Sequence, residues 1–182
     1  MSEQQHDELR EALKRTAVAL KEGGVPFALG GGYAAWARGG PEPDHDVDFV
    51  IAEADVETGE RVLSQAGLRV EHPPEDWLYK AFSDGAMVDI LFRLSGVPVE
   101  RTLFERASEV EVLSVRMPVL AATDVLASKM NALDEHHCDF SSILSVARAL
   151  REQVDWERLR RDVEGNDFAA ALLFLLDRLG ID

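Results

Sequence analysis

The sequence has very little cysteine and no long apolar run. Its 182 residues include a single cysteine, Cys138, which excludes an internal disulfide and a zinc site built on paired cysteines. The longest apolar run, FAAALLFLL at residues 168–176, is shorter than the roughly 20 residues that a helix needs to cross a bilayer. The N-terminal stretch is polar and has no signal-peptide pattern. We therefore expect a cytoplasmic protein without a membrane segment.

Basic residues are also scarce. Lys and Arg number 19 against 34 Asp and Glu, so the formal net charge is -15. Such a surface argues against broad, sequence-independent binding of nucleic acid, although it leaves room for a local basic patch that holds one RNA end. Hydrophobic residues make up 46% of the chain and charged residues 29%, which is typical of a folded domain with a sizeable core.

Apolar patterning predicts a sheet in the first part of the chain and helices in the rest. Strands are predicted at 25–29, 46–51, 77–82, 86–92 and within 109–117, and helices at 7–22 and 54–65. Ser83-Asp84-Gly85 is typical of a tight hairpin turn. After Pro118 come helix-like segments whose expected N-caps are Thr123 or Asp124, Asp139, Asp155 and Asp167. The predicted class is α/β (α+β), with a small mixed sheet flanked by helices over 1–118 and a C-terminal helical region over 119–182 packed on it.

The segment DVDFVI, residues 46–51, places two aspartates on one face of a predicted strand. Side chains alternate along a strand, so Asp46 and Asp48 project together while the apolar residues between and after them face the core. Two adjacent carboxylates repel each other unless a cation lies between them. A solvated edge strand in an acid-rich protein is the alternative interpretation of this pair taken alone.

Asp89 is the only charge in the apolar run AMVDILF, which is typical of a strand buried on both faces. An ionised carboxylate there is costly unless it is paired or binds a metal, and the alternative is an Asp bonded to a backbone group or an Arg. If this strand lies beside the DVD strand, three carboxylates converge. Mg²⁺ relieves their repulsion, and two such ions form a clamp for in-line displacement at phosphorus.

Three glycines, Gly30 to Gly32, lie between the first predicted strand and a short helix that begins with YAAWAR. Such a turn presents backbone N–H groups to an anion, and a phosphate-binding turn beside a carboxylate metal site suits nucleotidyl transfer. With Ala35 the same glycines also fit the dinucleotide fingerprint GxGxxG/A. The short helix and the position of the acids at the start of the next strand weigh against that alternative.

As a set, these motifs resemble the DNA polymerase β-like nucleotidyltransferase superfamily over residues 25–145. The motifs are Gly31-Gly32, thirteen further residues, then Asp46-Val47-Asp48-Phe49, and Asp89 on a later strand. Within the superfamily the chain looks most like the minimal bacterial enzymes, namely the AbiEii-type and MenT-type toxins and the small antibiotic nucleotidyltransferases. The resemblance implies transfer of NMP from an NTP to a hydroxyl, with release of pyrophosphate and with two Mg²⁺ or Mn²⁺ ions. It implies as acceptor a tRNA end, a protein or an aminoglycoside-like small molecule, and for toxin-like members an antitoxin partner.

The resemblance also implies roles for individual residues. Asp46 and Asp48 would ligate the metals, and Asp89 would ligate the catalytic metal and help to deprotonate the acceptor hydroxyl. Gly31 and Gly32 would hold phosphate through their backbone, and Tyr33 and Lys129 complete the predicted nucleotide-binding set. Lys129 falls inside the apolar stripe of its helix, so either its stem extends past the core or its ammonium reaches a charged partner. Relatives have a lysine in the corresponding helix, which favours a role in binding the triphosphate.

The chain departs from the family pattern at several positions. Tyr33 stands where many members have Ser, Glu42 and Asp44 where toxin-like relatives have Arg and Thr, and Cys138-Asp139 where they have Lys-Asp. These differences leave the acceptor and the subfamily open, and a non-catalytic binding module of the same fold is an alternative.

The remaining candidates have ordinary interpretations. Lys80 is expected at the surface and His45 in a turn, and EHHCD cannot direct its side chains at one ion from a helix. Asp139 is either a site residue or a helix cap. The arginines of the C-terminal segment RLRRD are expected on a solvated face, with an RNA contact as the alternative: Arg158, Arg160 and Arg161.

Overall fold

The structure, a computed structural model, describes residues 3–43 and 46–182. Within these ranges the strands are β1 (Phe27–Leu29), β2 (Val47–Ile51), β3 (Arg69–Glu71), β4 (Leu78–Ser83), β5 (Ala86–Leu91), β6 (Arg93–Leu94), β7 (Val97–Pro98), β8 (Ser108–Val112) and β9 (Val115–Val119). The helices are α1 (Glu3–Glu22), α2 (Gly31–Ala37), α3 (Val56–Gln65), α4 (Ala122–Asn131), α5 (Phe140–Leu150), α6 (Trp156–Asp162) and α7 (Asp167–Arg178). The predicted turn residue His45 lies outside the described residues, as does Asp44.

A mixed sheet organises the fold. Seven strands lie in the order β3-β4-β5-β2-β1-β9-β8, while β6 and β7 pair separately. The long helix α1 packs against β4, β5 and β9, and α4 packs against α2, α5, α6 and α7. The predicted α/β class, with flanking helices and a C-terminal helical region, is confirmed. The division into units at 118–119 stays a prediction.

Alternation along β5 corrects one expectation about Asp89. Ala86, Val88 and Ile90 are buried, whereas Met87, Asp89 and Leu91 are half-buried. The strand is therefore covered fully on one face and partly on the other, because its second face borders the candidate site. In the part of the chain that the structure describes, no helix is long and apolar enough to cross a membrane.

Two hairpins flank the centre of the sheet, and the sequence predicted one of them. The turn between β4 and β5 has positive φ at Asp84 (50°) and Gly85 (91°), as the tight-turn prediction requires. Residues 109–117 were expected to hold one strand, but they form a hairpin of β8 and β9. That turn also has positive φ, 51° at Leu113 and 66° at Ser114, without the Gly or Asn that usually marks it.

The antiparallel pairing of β1 with β2 argues against the dinucleotide alternative. Leu29 lies opposite Phe49 and Phe27 opposite Ile51 in an antiparallel register. The dinucleotide fingerprint requires two parallel strands joined by a crossover helix. The connecting helix α2 is also only 7 residues long. The glycine turn therefore serves a different architecture.

The predicted helix caps are confirmed in two cases. Asp139 accepts a hydrogen bond from the Ser141 N–H and Asp155 accepts one from the Arg158 N–H. The expected cap Asp167 is wrong, because Asn166 accepts from the first backbone N–H groups of α7. Asn and Asp are equally good caps, so sequence pattern did not separate these neighbours.

The expected N-caps of α4, Thr123 and Asp124, are also wrong. The helix begins at Ala122, and both side chains are buried within its first turn. The Thr123 hydroxyl accepts from the Asp155 N–H at 2.9 Å. The Asp124 carboxylate accepts from Arg106 and Arg158, with its closest contacts at 2.9 and 3.0 Å. Both residues join α4 to the rest of the helical region instead of capping it.

Candidate functional site

Three neighbouring strands bring charged side chains into one row. Asp48 on β2 lies opposite Asp89 on β5 in a parallel register, and Lys80 on β4 lies opposite Asp89 in an antiparallel one. Directly opposed residues on adjacent strands share a face of the sheet. The expected adjacency of the two aspartate strands is therefore present. Asp46 lies just before β2 and is exposed.

The glycine turn lies directly against the Asp48 carboxylate. Gly31 has φ +53°, and a Cβ placed on it would fall 1.7 Å from Asp48 Oδ2. The Gly30 N–H donates to the Asp48 carbonyl oxygen at 2.8 Å. No side chain fits between the turn and the carboxylate, so glycine at position 31 is required both by its backbone conformation and by this approach.

Lys129 lies beside the aspartates, as its place in the apolar stripe suggested. It is half-buried on α4 and lines a cavity of about 430 Å³ together with Gly32, Asp46, Asp48 and Ser142. The loop at residues 41–43 forms another wall of this cavity. Of the two interpretations of Lys129, the structure favours the one in which the ammonium faces charged groups.

Burial of Asp48 among other acids disfavours its ionised form. The pKa of Asp48 is raised from the ordinary value of 3.8 to about 6, mainly by burial and in addition by the neighbouring Asp89 and Asp46. Lys129 and Lys80 act in the opposite direction, but they do not cancel the effect. Because the surroundings disfavour the negative charge on Asp48, an added cation that neutralises this charge is bound favourably.

A family model matches almost the whole chain. It carries the description uncharacterised nucleotidyltransferase (NTP_transf_5) and matches residues 1–180. The chain belongs to this nucleotidyltransferase family. A search of curated protein sequences finds no match.

Solved structures share the fold of this chain at low sequence identity. The crystal structure of ANT(2'')-Ia in complex with adenylyl-2''-tobramycin has 16% identity and a TM-score of 0.64, over 90% of this chain and 95% of that chain. An antigenic nucleotidyltransferase-like protein from Paracoccidioides brasiliensis has 13% identity and a TM-score of 0.53, over 92% of each chain. The predicted DNA polymerase β-like fold is confirmed, whereas a toxin-like role stays a prediction.

Tyr33 lies in the core of the protein and not on the cavity wall. Its side chain is fully buried, and its ring meets that of Trp36 edge to face at 5.8 Å between centroids. Burial raises the pKa of its phenol, with a further contribution from Glu42. Any contact of Tyr33 with a nucleotide would therefore use its backbone. The helix α2 begins at Gly31, two residues before the expected start at Tyr33, so Tyr33 lies within its first turn.

An ion pair between α1 and the loop that follows α2 fixes one wall of the cavity. Arg10 donates to Glu42 Oε1 from Nε at 3.1 Å and from Nη2 at 2.6 Å. Pro43 packs over Gly32, where an added Cβ would fall 2.7 Å from the proline Cβ. The acid at position 42, noted as a departure from toxin-like relatives, thus has a structural partner in this chain.

The carboxylates fit a metal that arrives with phosphate. Among residues 3–43 and 46–182, no group of three or more His, Cys, Asp or Glu side chains is arranged to hold a metal ion. Asp46 and Asp48 nevertheless line one cavity with hard oxygen donors. The Gly31 backbone lies in contact with the Asp48 carboxylate. Mg²⁺ commonly uses one or two carboxylates and takes its remaining ligands from phosphate and water. The residues present suit that mode of binding.

Lys80 is the site residue that the sequence analysis misplaced. It was expected at the surface, but its ammonium donates to Asp89 Oδ1 at 2.8 Å. The signal was available in the hairpin. A two-residue turn at Asp84-Gly85 pairs Ser83 with Ala86, and counting back along both strands pairs Lys80 with Asp89.

The other charged candidates lie away from the aspartates. Arg158 was expected on a solvated face, but it holds the buried Asp124, while Arg160 pairs with Asp182 and Arg161 is exposed. Residues 134–139 form an exposed loop. Hydrogen bonds from Ser141 hold the pKa of the capping residue Asp139 below its usual range. Arg158 and Asp139 therefore have structural partners in the described part of the chain.

The raised pKa of Asp48 predicts an unusual pH dependence of metal-free stability. Between pH 3.8 and about 6 the folded state binds more protons at this residue than the unfolded state does. The contribution of Asp48 to stability is therefore complete below pH 3.8 and is lost as the pH rises through about 6. Denaturant unfolding at pH 4.5 to 7.5 should show the wild type losing stability relative to Asp48→Asn as pH rises. A difference that stays constant, or changes in the opposite direction, contradicts the prediction.

Proposed function

We propose that the protein is a Mg²⁺-dependent nucleotidyltransferase that transfers NMP from an NTP to an acceptor hydroxyl and releases pyrophosphate. The main support is the close approach of the Gly31 backbone to the Asp48 carboxylate, with Asp89 beside it on the next strand. A phosphate-binding turn and metal-binding carboxylates must adjoin each other for this reaction. A strand whose role was only structural would gain nothing from carboxylates that lie side by side on adjacent strands.

Each group at the site has a proposed task. Asp46 and Asp48 hold the metals, and Asp89 also accepts the proton of the attacking hydroxyl. The backbone N–H groups of Gly31 and Gly32 hold phosphate oxygens, and the Lys129 ammonium neutralises the triphosphate. Bound Mg²⁺ would supply charge neutralisation at the phosphates.

The hollows around α4 suggest where an acceptor approaches. A cavity of about 490 Å³ shares Lys129 and Ser142 with the 430 Å³ cavity that holds the aspartates. A third cavity, of about 360 Å³, shares Ala132 and Leu133 with the 490 Å³ cavity. Asp134 lines the smaller hollow beside Arg93 and several apolar side chains, and His137 and Asp139 line the larger one. They suit a cationic, hydroxylated small molecule better than a phosphate backbone, so an aminoglycoside-like acceptor comes first in a screen. A tRNA end and a protein side chain follow it.

The direct test is transfer of label from NTP carrying ³²P at the α-phosphate. Each NTP is incubated with Mg²⁺ and with aminoglycosides, tRNA or a protein extract, and both labelled acceptor and pyrophosphate are measured. The proposal expects labelled acceptor in proportion to pyrophosphate with the wild type, and neither with Asp48→Asn. Tight, Mg²⁺-dependent NTP binding without transfer to any acceptor would favour the non-catalytic module. An antitoxin, if one exists, would inhibit this reaction.

Lys129→Met should weaken NTP binding by about tenfold, since one charge-assisted contact to phosphate is lost. Binding of the corresponding NMP should change much less, because NMP lacks the β- and γ-phosphates. Calorimetric titration with each nucleotide and Mg²⁺ measures both affinities. Lys14→Met is a matched control, since Lys14 pairs with Glu11 on α1, away from the site. Equal losses for NTP and NMP would contradict the assignment of Lys129 to the triphosphate.

A further inference from the structure

The Lys80–Asp89 pair occupies a carboxylate that the proposed reaction needs. The two side chains are 2.8 Å apart, with 26% of Lys80 and 16% of Asp89 exposed. The β4–β5 register places the Lys80 backbone directly opposite Asp89, so a small movement of the hairpin does not separate the ammonium from the carboxylate. It can leave by rotation of the flexible lysine side chain.

We infer that Lys80 is a built-in counter-ion for Asp89, and that a metal must displace it to bind there. The inference rests on the proposed function and names a positioning residue for the same site. In the metal-free protein, Lys80 neutralises one of two acids that lie side by side on β2 and β5. Asp46 and Lys129 are the other charged groups that act on Asp48 at this site.

Competition between the ammonium and the metal has a functional consequence. A divalent ion that arrives alone must break the ion pair with no phosphate ligands to offset the loss. A metal that arrives with a triphosphate gains the contacts of the glycine turn and Lys129 at the same moment. Lys80 therefore lowers the affinity of Asp89 for a metal in both cases, and only a metal that arrives with a triphosphate gains contacts that offset this cost.

The test is titration of Mn²⁺ into the metal-free protein, with and without a non-hydrolysable NTP. Calorimetry and electron paramagnetic resonance measure the Mn²⁺ affinity. Lys80→Met removes the charge and keeps the length of the side chain. It should bind Mn²⁺ alone roughly threefold to tenfold more tightly than the wild type, which is the effect expected for loss of a competing, partly exposed ion pair. With the non-hydrolysable NTP present it should bind Mn²⁺ more tightly by a similar factor, because the same ion pair must be broken in both cases.

Further variants separate the outcomes. Lys80→Arg keeps the pair and should resemble the wild type, and Lys14→Met controls for loss of a lysine elsewhere. Suppose that Asp48→Asn abolishes Mn²⁺ binding, but that Lys80→Met binds Mn²⁺ no more tightly than the wild type. The inference is then wrong and the proposed function stands. If the wild type shows no Asp48-dependent binding of Mn²⁺ with or without NTP, the proposed function fails and this inference fails with it.

Discussion

Asp48→Asn is expected to make the metal-free protein more stable and to remove nearly all of its activity. Above pH 6 the wild type carries an ionised Asp48 that its surroundings disfavour, since burial and two neighbouring acids raise its pKa to about 6. The amide has nearly the same shape and no charge. We expect a gain of about 3 kcal/mol, or roughly 6–12 °C in Tm, for a chain of this size. Activity should fall about 10³-fold, because a metal ligand is lost.

Differential scanning calorimetry at pH 7.5 with EDTA measures the stability change, and the label-transfer assay measures the activity. Asp177→Asn is the matched control, because Asp177 is exposed on α7, away from the site. It should leave both quantities near wild type. A variant Asp48→Asn that loses stability in EDTA, or that retains activity, would contradict the description of Asp48 as a strained functional carboxylate.

Gly31→Ala is expected to damage both folding and function. Alanine at φ +53° is strained, and its Cβ would fall 1.7 Å from Asp48 Oδ2, so the carboxylate must move. Backbone strain and overpacking together should cost about 2–5 kcal/mol. A carboxylate displaced by about 1 Å should cost about 10²-fold in activity. Denaturant unfolding and the label-transfer assay measure the two effects.

Gly24→Ala separates strain from collision. Gly24 has φ +68°, and an added Cβ there meets nothing within 4 Å, so this variant should lose about 1 kcal/mol and no activity. Combining Gly31→Ala with Asp48→Ala should recover part of the lost stability, since the colliding oxygen is gone, without recovering activity. Equal effects of the two glycine variants would show that the approach of Gly31 to Asp48 has no importance.

The sequence predicted the features that depend on local pattern. Alternation placed Asp48 on a strand and a continuous apolar run placed Asp89 on another, the Asp84-Gly85 turn predicted the hairpin, and helical spacing identified Lys129 as unusual. The Lys80–Asp89 pair was equally predictable, because a two-residue turn determines the register of both strands. It was missed because a lysine was assumed to face solvent.

Other features depend on contacts that local pattern does not encode. The partners of Asp124 are 18 and 34 residues away, so its N-cap assignment could not be corrected from sequence alone. The complete burial of Tyr33 depends on how a helix of only 7 residues packs. The turn at Leu113-Ser114 has no residue that marks it, and tertiary pairing of β8 with β9 determines its conformation.

The same charges that suit the site to a metal also oppose folding without one. Asp48 and Asp89 are opposed on adjacent strands, and two lysines only partly offset the cost of ionising Asp48. Binding of a cation should therefore stabilise the protein by mass action and by relief of this repulsion.

The central claim is that the aspartates and the glycine turn form one metal–triphosphate site. The most direct test is the Tm of wild type and Asp48→Asn with each NTP, with NAD and without ligand, each with and without Mg²⁺. The account predicts that NTP raises the Tm of the wild type only when Mg²⁺ is present, and that this shift disappears in Asp48→Asn. An NTP shift that is independent of Mg²⁺ and unchanged in Asp48→Asn, or a shift with NAD alone, would contradict it.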